Sequence, residues 1–303
     1  MLSPKQAVDI INQRFGSHGA RALHAKGTLV KGTFTATPEA ARLTRAQHMQ
    51  GEPIAVTVRF SNGSGDPDDP DYGPEVRGMA TKFYLPDGGR TDISAQTVPR
   101  FPVRTPDAFV NLIRASAPGR ARLLRLPAFL ATHPEALPAL KANAPALKPP
   151  ASYATTRYYA VHAFNFIAAD GSERYVRYRW LPELGEQSLS NDEARSRGRD
   201  YLQEDLRERL EQQQQPIRFT LELQIAGPGD KVDDPTSVWP DERERIPAGT
   251  LELTALETGR ETGDDVLVFD PNRLTDGIEA SEDPILKFRS PAYSISVERR
   301  VSR

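Results

Sequence analysis

Runs rich in β-branched and aromatic residues recur in two groups of about four, with a block of helical segments between the groups. No other feature restricts the fold as strongly. In the first half Thr28–Thr35, Ile54–Phe60 (IAVTVRF) and Gly78–Leu85 (GMATKFYL) are strand-like. The turn-rich stretch NGSGDPDDPDYGP, which holds no core-forming residues, joins the last two. From Pro106 onward the pattern is helical, in three pieces that start or stop at Pro or Gly: Pro106–Ala115, Ala121–Thr132 and Pro134–Ala144. Strands return at Tyr158–Ala168 and Arg174–Leu181, joined by an Asp170-Gly171 turn, and again at Ile217–Ile225, Leu251–Glu257 and Val266–Phe269. Helices are expected at Ser3–Phe15, with Ser3 as cap and Pro4 behind it, at the charged stretch Asn191–Gln214, and at Ser281–Arg299, bent by Pro291. There is no βαβ alternation, glycine-rich phosphate loop or repeat period, so Rossmann and P-loop architectures are excluded. The expected fold is α+β: an antiparallel eight-stranded β-barrel with helical excursions, residues 1–303 forming a single domain.

A chain of 303 residues can bury enough surface to enclose a cofactor. The net charge of −2, with Lys and Arg spread along the chain, argues against a nucleic-acid face. The absence of cysteine removes disulfides, thiolate catalysis, iron–sulfur clusters and Cys-ligated haem. Met1–Phe15 is amphipathic rather than a basic stretch followed by an apolar one, and no apolar run approaches the roughly 20 residues of a membrane span. A cytoplasmic or periplasmic protein without membrane insertion is expected.

Five histidines are present, His18, His24, His48, His133 and His162, and none forms an HExxH or a close pair suited to a metal. No G-x-S-x-G occurs. Residue types and spacing alone leave an α+β barrel protein whose active site does not declare itself.

A series of short segments, in order, says more. It comprises Arg21-Ala-Leu-His24-Ala-Lys-Gly27, Val58-Arg59-Phe60-Ser61, Arg77-Gly78-Met79-Ala80-Thr81-Lys82-Phe83-Tyr84 and Asp92-Ile93. Pro99-Arg100-Phe101-Pro102-Val103-Arg104 with Phe109 follows, then Phe269-Asp270-Pro271, Gly277-Ile278-Glu279 and Arg289-Ser-Pro-Ala-Tyr293 with Arg300. Together they resemble the haem catalases, and the proximal Arg-Ser-Pro-Ala-Tyr form resembles the short catalase-related peroxidase branch. The resemblance implies a catalase-like fold and haem b. It makes Tyr293 the iron ligand, with Arg289 one helical turn earlier supplying positive charge for a phenolate. It makes His24 the distal group that moves a proton between the peroxide oxygens, and Ser61 the residue that fixes its tautomer. Arg21, Arg59 and Arg300 are matched to the haem propionates, and Phe109 to an aromatic that keeps the distal pocket dry. His162, between Val161 and Phe164, is read as structural.

Departures from the family pattern fall where peroxide approaches. Gln96 stands where an asparagine is usual, Pro102 replaces the second phenylalanine of a pair, and Leu23 replaces a valine before the distal histidine. The 303 residues also lack counterparts of the wrapping and C-terminal regions of full-size catalases, so a shorter haem channel open to larger molecules is expected. These features imply a peroxidase that reduces hydrogen peroxide or organic peroxides with a small organic donor and retains weak catalase activity, as a homodimer or monomer. The alternatives are an allene oxide synthase-like enzyme acting on fatty-acid hydroperoxides, a haem protein without turnover, and a barrel without haem.

Overall fold

The computed structural model describes residues 2–258 and 266–301. It begins with α1 (Pro4–Phe15), capped as the sequence indicates: Ser3 Oγ accepts from the Gln6 N–H, and Gln6 Oε1 accepts from the Ser3 N–H. Then come β1 (Gly27–Ala36), α2 (Pro38–Leu43), β2 (Ile54–Asn62), β3 (Arg77–Tyr84) and β4 (Arg90–Gln96). The helical block is α3 (Pro106–Ala115), α4 (Arg122–Thr132) and α5 (Ala136–Asn143). It leads to β5 (Tyr158–Tyr159), β6 (Phe164–Ile167), β7 (Glu173–Pro182), α6 (Asn191–Ser196) and α7 (Tyr201–Arg207). β8 (Ile217–Ile225), β9 (Arg245–Leu256), β10 (Ile278–Ala280) and α8 (Pro284–Val301) follow.

Antiparallel pairings run from β1 through β2, β3, β4, β5, β7, β8 and β9 and back to β1, so eight strands close a barrel. β6 continues the edge of β7 that β5 begins, and carries β10 on its outer side. Side chains alternate across this wall. On β2, Val56, Val58 and Phe60 enter the apolar core, and Arg59 and Ser61 point the other way. Fully buried aromatics fill the barrel interior: Phe34 meets Phe83 and Trp180 edge-on at 5.3 and 6.1 Å, and Phe60 stacks on Tyr153 at 5.3 Å. The interior is a packed core, and the space for chemistry lies outside it.

Several elements differ from the sequence expectation. The Tyr158–Ala168 run splits into β5 and β6, with His162 in the break. The Asn191–Gln214 helix breaks after α6 at Gly198, whose φ of +103° suits glycine and ends the helix. Val266–Phe269 forms no strand; Leu267 and Phe269 instead pack against Leu29 on the barrel's outer surface. β4 and β10 are strands that the sequence reading passed over. Among the described residues no helix is long and apolar enough to cross a membrane.

Candidate active site

α1, α3 and α8 lie over the outward faces of β2, β3 and β4, and a cavity of about 810 Å³ remains between them. That volume falls within the roughly 300–1,000 Å³ typical of ligand and cofactor sites. All nine residues singled out in the sequence line it: Arg21, His24, Arg59, Ser61, Gln96, Phe109, Arg289, Tyr293 and Arg300.

One wall is α8. Ile285, Arg289, Ala292, Tyr293, Ser296 and Arg300 recur at three-, four- and seven-residue steps, which puts them on one helical face, and all line the cavity. Arg289 Nε and an Nη both donate to the Tyr293 hydroxyl oxygen, at 2.9 and 2.5 Å. That oxygen therefore accepts from two guanidinium N–H groups of one side chain.

The opposing wall is built by β2 and the segment after α1. His24 sits at φ +56°, a left-handed conformation that costs a non-glycine residue about 1–3 kcal/mol. Arg59 holds it there: one Nη donates to the His24 carbonyl at 2.8 Å and the other to the Ala25 carbonyl at 3.0 Å. The strained backbone presents the imidazole to the cavity, with Nδ1 3.0 Å from Ser61 Oγ. Gly78 on β3 makes this contact possible, since a Cβ there would lie 2.7 Å from Ser61 Oγ and 2.8 Å from His24 Nδ1. Burial, and after it the charges of Arg59, Arg289 and Arg21, push the His24 imidazole from 6.5 down to about 3. The ring is therefore neutral at physiological pH.

The remaining residues close the cavity. Gln96 ends β4 in register with Gly78 and with Tyr159 of β5. Phe109 on α3 packs its ring 5.0 Å from that of Phe101. Arg21 donates to the Leu267 carbonyl at 2.9 Å, tying the His24 segment to the stretch ahead of α8. Pro102 and Leu23, two of the departures noted above, also line the wall.

A buried ion pair fixes the outer cover. On β3 and β4, Lys82 Nζ lies 2.5 Å from Asp92 Oδ1, and Asp92 Oδ2 accepts from Arg273 at 2.9 Å and from the Asp270 N–H at 2.8 Å. Asp92-Ile93 and Phe269-Asp270-Pro271, far apart in sequence, therefore meet in space.

His162, read in the sequence as structural, has a structural setting. It is buried, and its Nδ1 lies 2.6 Å from Asp283 Oδ2. Asp283 Oδ1 accepts from the Ile285 and Leu286 N–H groups and so caps α8. The pair locks the start of the Tyr293 helix to the barrel. Asp283 followed by Pro284 is a helix-start signal in the sequence, but nothing there links it to His162.

The cavity suits a haem. A phenol backed by a guanidinium stands on one wall and a neutral imidazole on another; three further arginines suit two propionates, and the rest of the lining is mainly apolar.

Comparison with known proteins agrees with this geometry. The Catalase family model matches residues 17–303. A catalase-related peroxidase of Mycolicibacterium paratuberculosis is 49% identical over 99% of this chain and 95% of its own length. A second, from Synechococcus elongatus, is 35% identical over 99% of this chain and 89% of its own length. The crystal structure of a fungal catalase superposes with a TM-score of 0.82 at 25% identity, covering 94% of this chain and 60% of that one. With barrel, cavity and matched length in agreement, this chain belongs to the catalase family and takes a haem cofactor.

Proposed function

We propose that this chain is a haem b peroxidase that reduces hydrogen peroxide or organic hydroperoxides with electrons from a small organic donor, residues 1–303 working as one unit around one cavity. The observation that carries this reading is the pairing, in a single cavity, of Tyr293 held by Arg289 with a neutral His24 held by Ser61. The overall change is ROOH + 2 e⁻ + 2 H⁺ → ROH + H₂O, with R as hydrogen or an alkyl group. When bound, the haem iron supplies the centre at which the O–O bond breaks and through which the electrons pass.

The protein's own residues bind, orient and move protons. Tyr293 would hold the iron through its phenol oxygen, to which two Arg289 N–H groups donate. Arg21, Arg59 and Arg300 would pair with the propionates. His24 acts through Nε2: with Nδ1–H donating to Ser61 Oγ, Nε2 takes the proton from the near peroxide oxygen and passes it to the departing one, so that water or an alcohol leaves. Phe109 and Phe101 exclude water. Gln96 offers its amide one methylene farther out than asparagine does, which loosens its hold on a second small peroxide and favours the donor.

The test is steady-state turnover of the haem-loaded protein with hydrogen peroxide, following oxygen evolution and oxidation of a phenolic donor side by side. Donor oxidation is expected to outpace oxygen evolution. Oxygen evolution much faster than donor oxidation would make the chain a dismutating catalase.

A further inference from the structure

Among the described residues, nothing covers the outer face of α4. Its inner face carries Phe129 and Leu130, which pack with Val103 and Ala136. On the opposite face Leu123 and Leu124 are 79% and 78% exposed, and the stripe continues through Pro127, Ala128 and Ala131, all exposed. These positions follow steps of one and four residues and so form one continuous face. Leu137 of α5 adds a third exposed leucine. A surface helix normally presents a polar outer stripe, and a helix apolar on both faces belongs against something apolar on each.

The charge around α4 is equally one-sided. Arg114, Arg120, Arg122 and Arg125 are all exposed, and no acidic residue occurs from 108 to 134, in a chain whose net charge is −2. Apolar side chains ringed by arginine on an outward helix match a bilayer surface with anionic headgroups. A two-fold contact with a second copy matches less well, because it would bring one arginine-rich face against another.

We propose that the outer face of α4 docks peripherally on anionic lipid bilayers, with Leu123 and Leu124 seated among the headgroups and the arginines on lipid phosphates. α3 and α5, on the inner side of this cover, line the cavity through Leu112, Ile113 and Leu140. Docking therefore brings the cavity close to the bilayer surface. That this places a peroxidase there rests on the function proposed above; the docking itself does not.

The experiment is flotation of the haem-loaded protein with vesicles of phosphatidylglycerol and phosphatidylcholine at low salt, beside vesicles of phosphatidylcholine alone. Binding to the anionic vesicles is expected, at least about tenfold weaker on phosphatidylcholine and weakened by salt. Arg120→Gln/Arg122→Gln is expected to cost roughly thirtyfold in affinity, at about 1 kcal/mol for each arginine. Leu123→Gln/Leu124→Gln should lose at least about tenfold, and both variants should keep wild-type thermal unfolding and turnover of hydrogen peroxide. Absence of flotation, equal binding to the uncharged vesicles, or unchanged binding by the variants overturns the proposal. So does a dimer in sedimentation that the leucine variant abolishes while vesicle binding is missing, which would give the face to a second copy. Flotation needs no peroxide, so its failure leaves the peroxidase reading intact, and failure of the peroxidase assay leaves the docking intact.

Discussion

β2, β3 and β4 present two faces made by one backbone. Towards the barrel axis Val58, Phe60 and Phe83 are fully buried and fill the space. Away from it Arg59, Ser61, Gly78 and Gln96 stand under a cover of helices that leaves about 810 Å³ open. Adjacent residues of one strand therefore meet opposite demands. Phe60 has to pack, and Ser61 has to hold His24 at 3.0 Å beside open space. The contrast shows where a barrel of only eight strands leaves room for a large ligand. Its interior is just wide enough to be filled by side chains, so the open space lies on the outer surface, roofed by helices.

The largest effect expected is on the outer face. His24→Gln removes the proposed proton carrier, and turnover of peroxide should fall about 10²–10⁴-fold with stability preserved, as read by steady-state kinetics and thermal unfolding together. A loss of less than tenfold would mean that another group moves the proton. The inner face should respond the other way. Phe60→Ala opens a cavity among Tyr153, Tyr158 and Phe219 and is expected to cost about 3–5 kcal/mol in denaturant unfolding, with the rate per folded haem site unchanged. Its neighbour Ser61→Ala should cost about 1 kcal/mol of stability and about tenfold in rate. Equal responses from the two neighbours would remove the distinction between the faces.

A further effect is in pH. Burial lowers His24 and His48 from 6.5 to about 3 and lowers His162 too, against the pull of Asp283. The unfolded chain then takes up protons below pH 6.5 that the native state refuses. Stability is full above that value and declines as pH falls towards about 3, each histidine withdrawing about 1.4 kcal/mol per pH unit at most. His48, whose Nδ1 is buried without a partner and whose ring packs 4.7 Å from that of Phe83, lies outside the cavity lining. His48→Leu should flatten the decline in urea unfolding between pH 6.5 and 5 and leave turnover unchanged; an unaltered slope would show that His48 is protonated in the native state.

The inner face was the more legible of the two in the sequence. β1, β2, β3, β7 and β8 declare themselves through aromatic and β-branched residues, because a filled barrel interior demands them. β4 was missed because its outward positions, Arg90, Asp92, Ser94 and Gln96, are polar and its inward ones include the small Thr91 and Ala95. Val266–Phe269 misled for the opposite reason: it is apolar because it packs on the barrel's outer side, although no strand pairs with it. The outer face could not be read from spacing at all. His24 and Ser61 are 37 residues apart, and Arg21 and Leu267 are 246 apart. Only the ordered resemblance to a family brought His24, Ser61 and Arg21 together; it left His162 as structural without its partner Asp283, whose 2.6 Å contact becomes visible once the chain is folded.

The account stands on Tyr293 facing a haem on the outer side of the barrel, and the absorption spectrum of the haem-loaded protein, beside that of Tyr293→Phe, tests it most directly. The account predicts a high-spin ferric spectrum of phenolate type in the parent protein and its loss in Tyr293→Phe. Haem bound with an unchanged spectrum in Tyr293→Phe would contradict it.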